Sequence, residues 1–312
     1  MKALVAAVMV ATLATACGSS GKKSTTPTTV PGVPGKSQLV LDISKTTDLP
    51  RNFRIAAPDQ VKGDQSINTT GFAELKESGS AVFAADSIPA MQAKINHMPT
   101  TDVDLRQETH LYVNGIPVTW FGDNDDANLG LTHDQVLADQ AAKKAELTKS
   151  PAINFEDIGK KSVSPTGPVR DPKKVQTEEE VVNAAGWGYF RLTVPDHIKP
   201  QTEEVDRFVA FVRDLPSNTW LHFHCRAGVG RTTTFMAMYD MMRNAKSVSL
   251  DDILKRQVAV GGKDLTADDT DADENKADRA KFLQQFYDYS KNNQDGFKTP
   301  FSASLHTTTT SS

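Results

Sequence analysis

A thiol, two guanidinium groups and two glycines fall within nine consecutive residues, His224-Cys225-Arg226-Ala227-Gly228-Val229-Gly230-Arg231-Thr232. This is a C-x5-R-[ST] pattern, set between a strand-like run, Thr219 to His224, and a helix-like run, Gly230 to Arg243. Gly228 and Gly230 allow the backbone to curl so that successive N–H groups converge, and the following helix adds its positive end at the same point. Such a nest, built from Ala227, Gly228, Val229 and Gly230, suits a phosphate-sized dianion. Arg231 offers a planar fork to two of its oxygens, and the same positive field lowers the pKa of Cys225 toward the thiolate. Thr232 can hydrogen-bond that sulfur. The expected chemistry is nucleophilic displacement at phosphorus, with nucleophile and phosphate cradle in one loop. The simpler reading of Cys225 is a buried inert thiol, which the Arg231 spacing and the two glycines argue against.

Displacing an alkoxide also needs a proton donor. Val194-Pro195-Asp196-His197 lies 29 residues before the cysteine and supplies Asp196 as general acid, then as base for the hydrolytic water. A plain Pro-Asp turn is the competing reading. His222 is read as a core residue and His224 as a hydrogen-bonding partner beneath the loop, the two facing opposite sides of the strand. No Cys/His spacing matches a metal site, so neither a metal nor another cofactor is expected.

The elements that must position these groups follow an α/β pattern. Ser80 to Phe83, Asp102 to Leu105, Tyr189 to Val194 and Thr219 to His224 read as strands, and Ile88 to Ile95 as a helix. Val205, Phe208, Val209, Val212 and Leu215 make one stripe of a helix with Thr202 as its expected cap. Thr132 with Gln135, and Thr177 with Glu180, are capping boxes, and Ser249 with Asp252 marks another helix start. Phe282, Leu283, Phe286 and Tyr289 mark a last helix. Asn114-Gly115 between two apolar runs is a hairpin signal inside a β-rich insertion at about 108–175. Asp264 to Asp278 reads as a solvated acidic loop.

At the ends, residues 1–16 have the charge and apolar run of a signal peptide too short to span a bilayer. Cys17 follows Ala14-Thr15-Ala16, which suits a lipidated first residue of an exported lipoprotein, or an A-x-A cleavage that leaves a secreted protein. Residues 17–48 read as a flexible linker, 49–300 as the functional domain and 301–312 as a disordered tail. The 312 residues show no 20–50-residue repeat, which argues against a solenoid, and a formal net charge of -4 argues against nucleic acid as partner. The membrane is expected to be met through the lipid anchor only.

Asp196 through Gly262 resembles the protein-tyrosine-phosphatase superfamily, and most of the chain is similar to the bacterial cysteine phytases, the tyrosine-phosphatase-like inositol polyphosphatases. The motifs that carry this include Arg51-Asn52-Phe53-Arg54, Asp104-Leu105-Arg106-Gln107-Glu108, Asn114-Gly115-Ile116-Pro117-Val118, Val175-Gln176-Thr177-Glu178 and the Cys225 loop. The resemblance implies a tyrosine-phosphatase-like core, a central sheet flanked by helices, with a small inserted β-barrel-like domain. It implies Cys225 as nucleophile, Arg231 as phosphate binder, Asp196 as general acid, and Arg54, Asp125 and His197 as pocket residues. Arg226 stands where the family usually has glutamate, and is expected to raise affinity for anionic substrate. Lys276 and Arg279 are candidates for the pocket rim, as is a basic group of Lys160, Lys161, Arg170, Lys173 and Lys174. The implied substrates are myo-inositol hexakisphosphate and lower inositol phosphates, handled outside the cytoplasm. The alternatives are a secreted protein-tyrosine or dual-specificity phosphatase, a non-catalytic phosphate-binding module, and a sulfur-transfer enzyme that would leave Asp196 without a role.

Overall fold

A computed structural model of the chain describes residues 35–63, 66–266 and 273–307. In chain order the strands are β1 (Gln38–Leu41), β2 (Arg54–Ile55), β3 (Glu77–Ala81), β4 (Thr100–Asp104), β5 (His110–Val113), β6 (Ile116–Phe121), β7 (Ala152–Ile153), β8 (Val169–Arg170), β9 (Val175–Gln176), β10 (Gly188–Arg191) and β11 (Trp220–Cys225). The helices are α1 (Ile88–Lys94), α2 (His133–Lys149), α3 (Glu178–Ala184), α4 (Thr202–Arg213), α5 (Gly230–Asn244), α6 (Leu250–Ala259), α7 (Asp273–Asn292) and α8 (Phe301–Thr307).

The central five-stranded sheet has the order β10-β4-β11-β3-β2, parallel except for the short edge strand β2. β11 lies in the middle, covered on both faces, so its residues serve two different interiors. Leu221, Phe223 and Cys225 join the main core with Phe208 of α4 and Phe235 of α5. His222 and His224 turn the other way, toward Phe83 and Trp187. They therefore share a face, as residues two apart in a strand must, and their rings stack at 6.3 Å. The expectation of opposite sides is corrected by that period. His222 is held between the Ser78 and Ser80 hydroxyls at 2.9 and 3.0 Å, and burial keeps it well below the ordinary histidine value, hence neutral.

Both capping boxes form, and Ser249 caps α6. Thr202 is the first residue of α4, not its cap; Gln201 takes that position without a side-chain bond. The Asn114-Gly115 turn has φ of 51° and 81° at its two residues, the twist that joins adjacent antiparallel strands β5 and β6.

Two boundaries move. The segment read as linker contains β1, which pairs antiparallel with β6 because Leu39 and Leu41 alternate onto the apolar cluster around Leu111 and Val118. β1 thus joins a four-stranded sheet of order β1-β6-β5-β9, in which β1 and β9 are edges and no pairing closes a barrel among the described residues. The segment read as a disordered tail begins with α8: Phe301 is 2% exposed, packed against Phe282, Phe286 and Tyr289, and Ser302 N–H donates to Asp206. One aromatic anchor outweighs the polar composition around it. The signal segment, Cys17, residues 267–272 of the acidic run, the Lys276 side chain and residues 308–312 lie outside the described residues, and residues 273–278, read as the end of a solvated loop, are instead the start of α7. No helix among the described residues is long and apolar enough to cross a membrane.

Candidate active site

The loop after β11 is shaped from outside. The carbonyls of Arg226, Ala227 and Gly228 accept, in turn, from Val82 N–H at 3.3 Å, Asn52 Nδ2 at 2.8 Å and Arg54 Nη1 at 2.7 Å. A trans peptide directs its N–H opposite to its C=O, so the N–H groups of residues 227, 228 and 229 turn inward. Gly228 has φ +71°, and a Cβ there would come within 2.2 Å of Ala81 N, so this turn admits only glycine. Gly230 has no such constraint: a Cβ there would meet nothing within 4 Å, so its role is to leave the cavity side of the loop clear. The expectation that both glycines bend the chain is thus met at Gly228 alone.

Cys225 is 2% exposed at the floor of this curl, and its Sγ accepts from Gly228 N–H at 3.3 Å and Thr232 Oγ1 at 3.2 Å. Burial and the Asp196 carboxylate push the thiol up; Arg231 and the Thr232 hydrogen bonds outweigh them and hold it below the ordinary cysteine value. Arg231 is fixed from behind by Glu108, whose two oxygens lie at 2.6 and 3.0 Å, and by the Val194 carbonyl at 3.1 Å. Its Nε faces Asp196 Oδ1 at 3.2 Å. Asp196 thus meets the cysteine loop on the same guanidinium that would grip a phosphate. His197 adopts φ +64°, donates its N–H to Asp196 Oδ1 at 3.0 Å and leaves its ring exposed.

A cavity of about 680 Å³ opens above Cys225, lined by Ala227, Val229, Gly230, Arg231, Asp196 and His197, with Lys161, Lys263 and Arg279 among its other walls. Three sequence-based expectations change here. Arg54 is buried beneath the loop, bonded to Gly228 O and to Thr233 Oγ1 at 3.1 Å, so it shapes the cradle without lining the cavity. Burial lowers its pKa to about 10, against the pull of Cys225 and Glu77. Asp125 is buried 3.8 Å from Arg231 Nη2, and its neighbours Asn124 and Asp126 line the cavity in its place; burial and then Glu108 push its carboxyl well above the usual range. Arg226 leaves the loop on the far side, pairs with Asp42 at 2.8 Å, donates to the Lys161 carbonyl and lies over the Phe121 ring at 4.5 Å. Its charge ties the small sheet to the loop and is not offered to the cavity. Of the second basic group only Lys161 reaches the wall; Arg279 reaches it as well, donating to His197 O at 3.3 Å.

Glu108 and Lys263 were given no role by the spacing of residues. Glu108 stands 123 positions from Arg231, and Lys263 follows the Gly261-Gly262 turn that brings it back to the wall. Behind the loop, Asp102, Glu178 and His224, and likewise Asp104, His110 and Glu178, bring possible ligand atoms within 4.8 Å of one another. These buried carboxylates already face the His110 and His224 imidazoles at 3.1 and 3.2 Å and the Arg191 guanidinium at 3.3 Å.

A family model described as PTP-like phytase, inositol hexakisphosphate, matches residues 103–243, from within β4 almost to the end of α5. The structure of a PTP-like phytase from Bdellovibrio bacteriovorus is 34% identical, with a TM-score of 0.69 and coverage of 88% of this chain and 97% of that one. The chain belongs to the PTP-like phytase family. A PTP-like myo-inositol phosphatase from Mitsuokella multacida, solved in complex with myo-inositol-(1,3,4,5)-tetrakisphosphate, is 35% identical with a TM-score of 0.77, over 88% of this chain and 49% of that one. Effector protein hopD2 of Pseudomonas syringae pv. tomato is 35% identical over 243 residues, 74% of this chain and 51% of its own length. The phytase-family chain therefore spans about half the length of these last two relatives. Its α/β core places the cysteine loop at the end of the central strand β11.

Proposed function

We propose that this chain is an extracytoplasmic, cysteine-dependent phosphomonoesterase that hydrolyses myo-inositol hexakisphosphate and lower inositol phosphates. The observation that carries the reading is the cavity itself: Cys225 and Arg231 at its floor, and Lys161, Lys263 and Arg279 brought to its walls from three separate segments. A ligand with phosphates all round its ring can place one on the loop and others against those cations.

The chemistry follows from the geometry. A phosphate oxygen takes the Arg231 Nε position that Asp196 faces, and the inward amides bind the others. The Cys225 thiolate attacks phosphorus; an S–P bond forms as the ester P–O bond breaks, and Asp196 gives its proton to the departing alkoxide, which leaves as the alcohol. Water then attacks the cysteinyl-phosphate while the Asp196 carboxylate takes its proton. The S–P bond breaks, inorganic phosphate leaves and the thiolate is restored, stabilised by Thr232 and Gly228 N–H.

The test is phosphate release from inositol hexakisphosphate against release from a phosphotyrosine peptide. Higher kcat/KM on the inositol phosphate is expected; preference for the peptide would favour the secreted protein-tyrosine or dual-specificity phosphatase. Export with Cys17 as a lipidated first residue belongs to the same proposal, supported by the apolar run before it. Mass spectrometry of the mature protein should find a diacylglyceryl group on Cys17, and an unmodified N-terminus after Ala16 would indicate a secreted form.

A further inference from the structure

Glu178 opens α3 in a run of three glutamates, Glu178-Glu179-Glu180, that reads as a solvated helix start. Glu180 closes the capping box and Glu179 is exposed, but Glu178 is turned inward and fully buried. Its two oxygens hold two different imidazoles: Oε1 lies 3.2 Å from His224 Nε2, and Oε2 lies 3.1 Å from His110 Nε2. His224 is the residue before the nucleophile. His110 Nδ1 donates to the Glu108 carbonyl at 2.8 Å, and the Glu108 carboxylate grips Arg231. A closed ring of contacts thus runs from Cys225 through His224, Glu178, His110 and Glu108 to Arg231, and back along the catalytic loop.

We propose that Glu178 is a positioning residue for phosphoryl transfer, its single carboxylate setting the nucleophile and the phosphate-gripping guanidinium in register. The inference rests on the cysteine-phosphatase chemistry proposed above and not on the identity of the alcohol. Burial opposes a charge on Glu178, yet His224 and His110 hold its carboxyl well below the usual range, so the bridge is ionic. The groups facing it are His224, His110 and the Tyr112 hydroxyl, with Asp102 sharing His224 Nε2 at 3.4 Å and Asp104 sharing His110 Nε2 at 3.1 Å. Arg191 adds a brace, donating to the Arg106 and Glu108 carbonyls at 3.0 and 3.1 Å. Misplacing a reacting group by about 1 Å costs on the order of 10²-fold in rate, and a bridge between two sheets controls displacements of that size.

The experiment uses Glu178→Gln and His110→Gln in the full chain, with p-nitrophenyl phosphate as a generic monoester. Both variants should lose about 10²-fold in kcat with KM within about threefold of wild type, because ground-state anion binding stays while the aligned transition state is lost. Orthovanadate, whose five-coordinate adduct resembles that transition state, should weaken in step with kcat, and inorganic phosphate should not. The double variant should be no worse than the poorer single, as expected when both act through one link. A folded Glu178→Gln enzyme with wild-type kcat, or additive single effects, would overturn the proposal. If Glu178→Gln does not fold, the same reading applies to His110→Gln, where unchanged kcat and vanadate affinity would equally overturn it. Wild-type turnover of p-nitrophenyl phosphate without turnover of inositol hexakisphosphate would count against the substrate reading alone.

Discussion

Glu108 and Arg231 form a two-point ion pair, at 2.6 and 3.0 Å, between the segment that joins β4 to β5 and the first turn of α5. Both side chains are buried, and Glu108 also holds Arg106 at 3.0 Å. The pair fixes the guanidinium plane before any ligand arrives, so little reorganisation remains for binding. Removing one member of such a pair leaves an uncompensated buried charge. Glu108→Ala is expected to cost about 3–5 kcal/mol of stability by urea unfolding. In whatever fraction folds, kcat/KM should fall by about 10²-fold.

The Cys225 thiol lies below its ordinary value because Arg231 and Thr232 prevail over burial and Asp196. The rate of alkylation by iodoacetamide, which follows the thiolate, should therefore rise with pH at a midpoint lower than that of a free cysteine. Arg231→Met should move the midpoint up and slow alkylation at neutral pH. Asp196→Asn should move it further down, since the carboxylate is one of the groups raising it. The linked stability has a definite sign: a depressed folded value contributes stability that is fully present above the unfolded thiol value and is lost as pH falls through the folded one.

Arg226 tests whether a charge in the loop is a charge in the site. Its guanidinium is committed to Asp42 and Phe121. Arg226→Ala should leave KM for inositol hexakisphosphate within about twofold and lower stability by about 1.5–3 kcal/mol, the scale of a hydrogen bond to a charged group. A KM increase of tenfold or more with stability unchanged would show that the side chain reaches substrate.

How far these features were legible depends on how local their causes are. The cysteine loop spans nine adjacent residues, and its chemistry is a matter of offsets along the chain, so strand, curl, helix and guanidinium could be read together. The capping boxes and the Asn114-Gly115 hairpin are local in the same sense. The direction in which Arg226 leaves the loop was not legible, because a sequence states that a charge exists and not which side of a turn it takes. The burial of Arg54 beneath Gly228 depends on β2 pairing with β3, and the roles of Glu108 and Glu178 depend on contacts between two sheets. A buried glutamate in a run of glutamates looks like a solvated helix start until the neighbouring histidines are placed. β1 was hidden for a related reason: four residues in a polar stretch make a strand only when β6 is there to pair with them.

The C-terminal helix gives a test of packing rather than chemistry. Phe301 fills the aromatic cluster of Phe282, Phe286 and Tyr289. Phe301→Ala should lower stability by about 3–5 kcal/mol, read from chemical denaturation, with kcat unchanged in the folded protein. Ending the chain at Thr299 should cost at least as much.

The central claim is that phosphorus passes through the sulfur of Cys225. Wild-type enzyme mixed with inositol hexakisphosphate and quenched in acid within milliseconds should carry a phosphoryl group on the peptide that contains Cys225, and Cys225→Ser enzyme should carry none. Turnover by the wild type with no phosphoryl group trapped on that peptide, or with turnover surviving Cys225→Ser, would contradict the account.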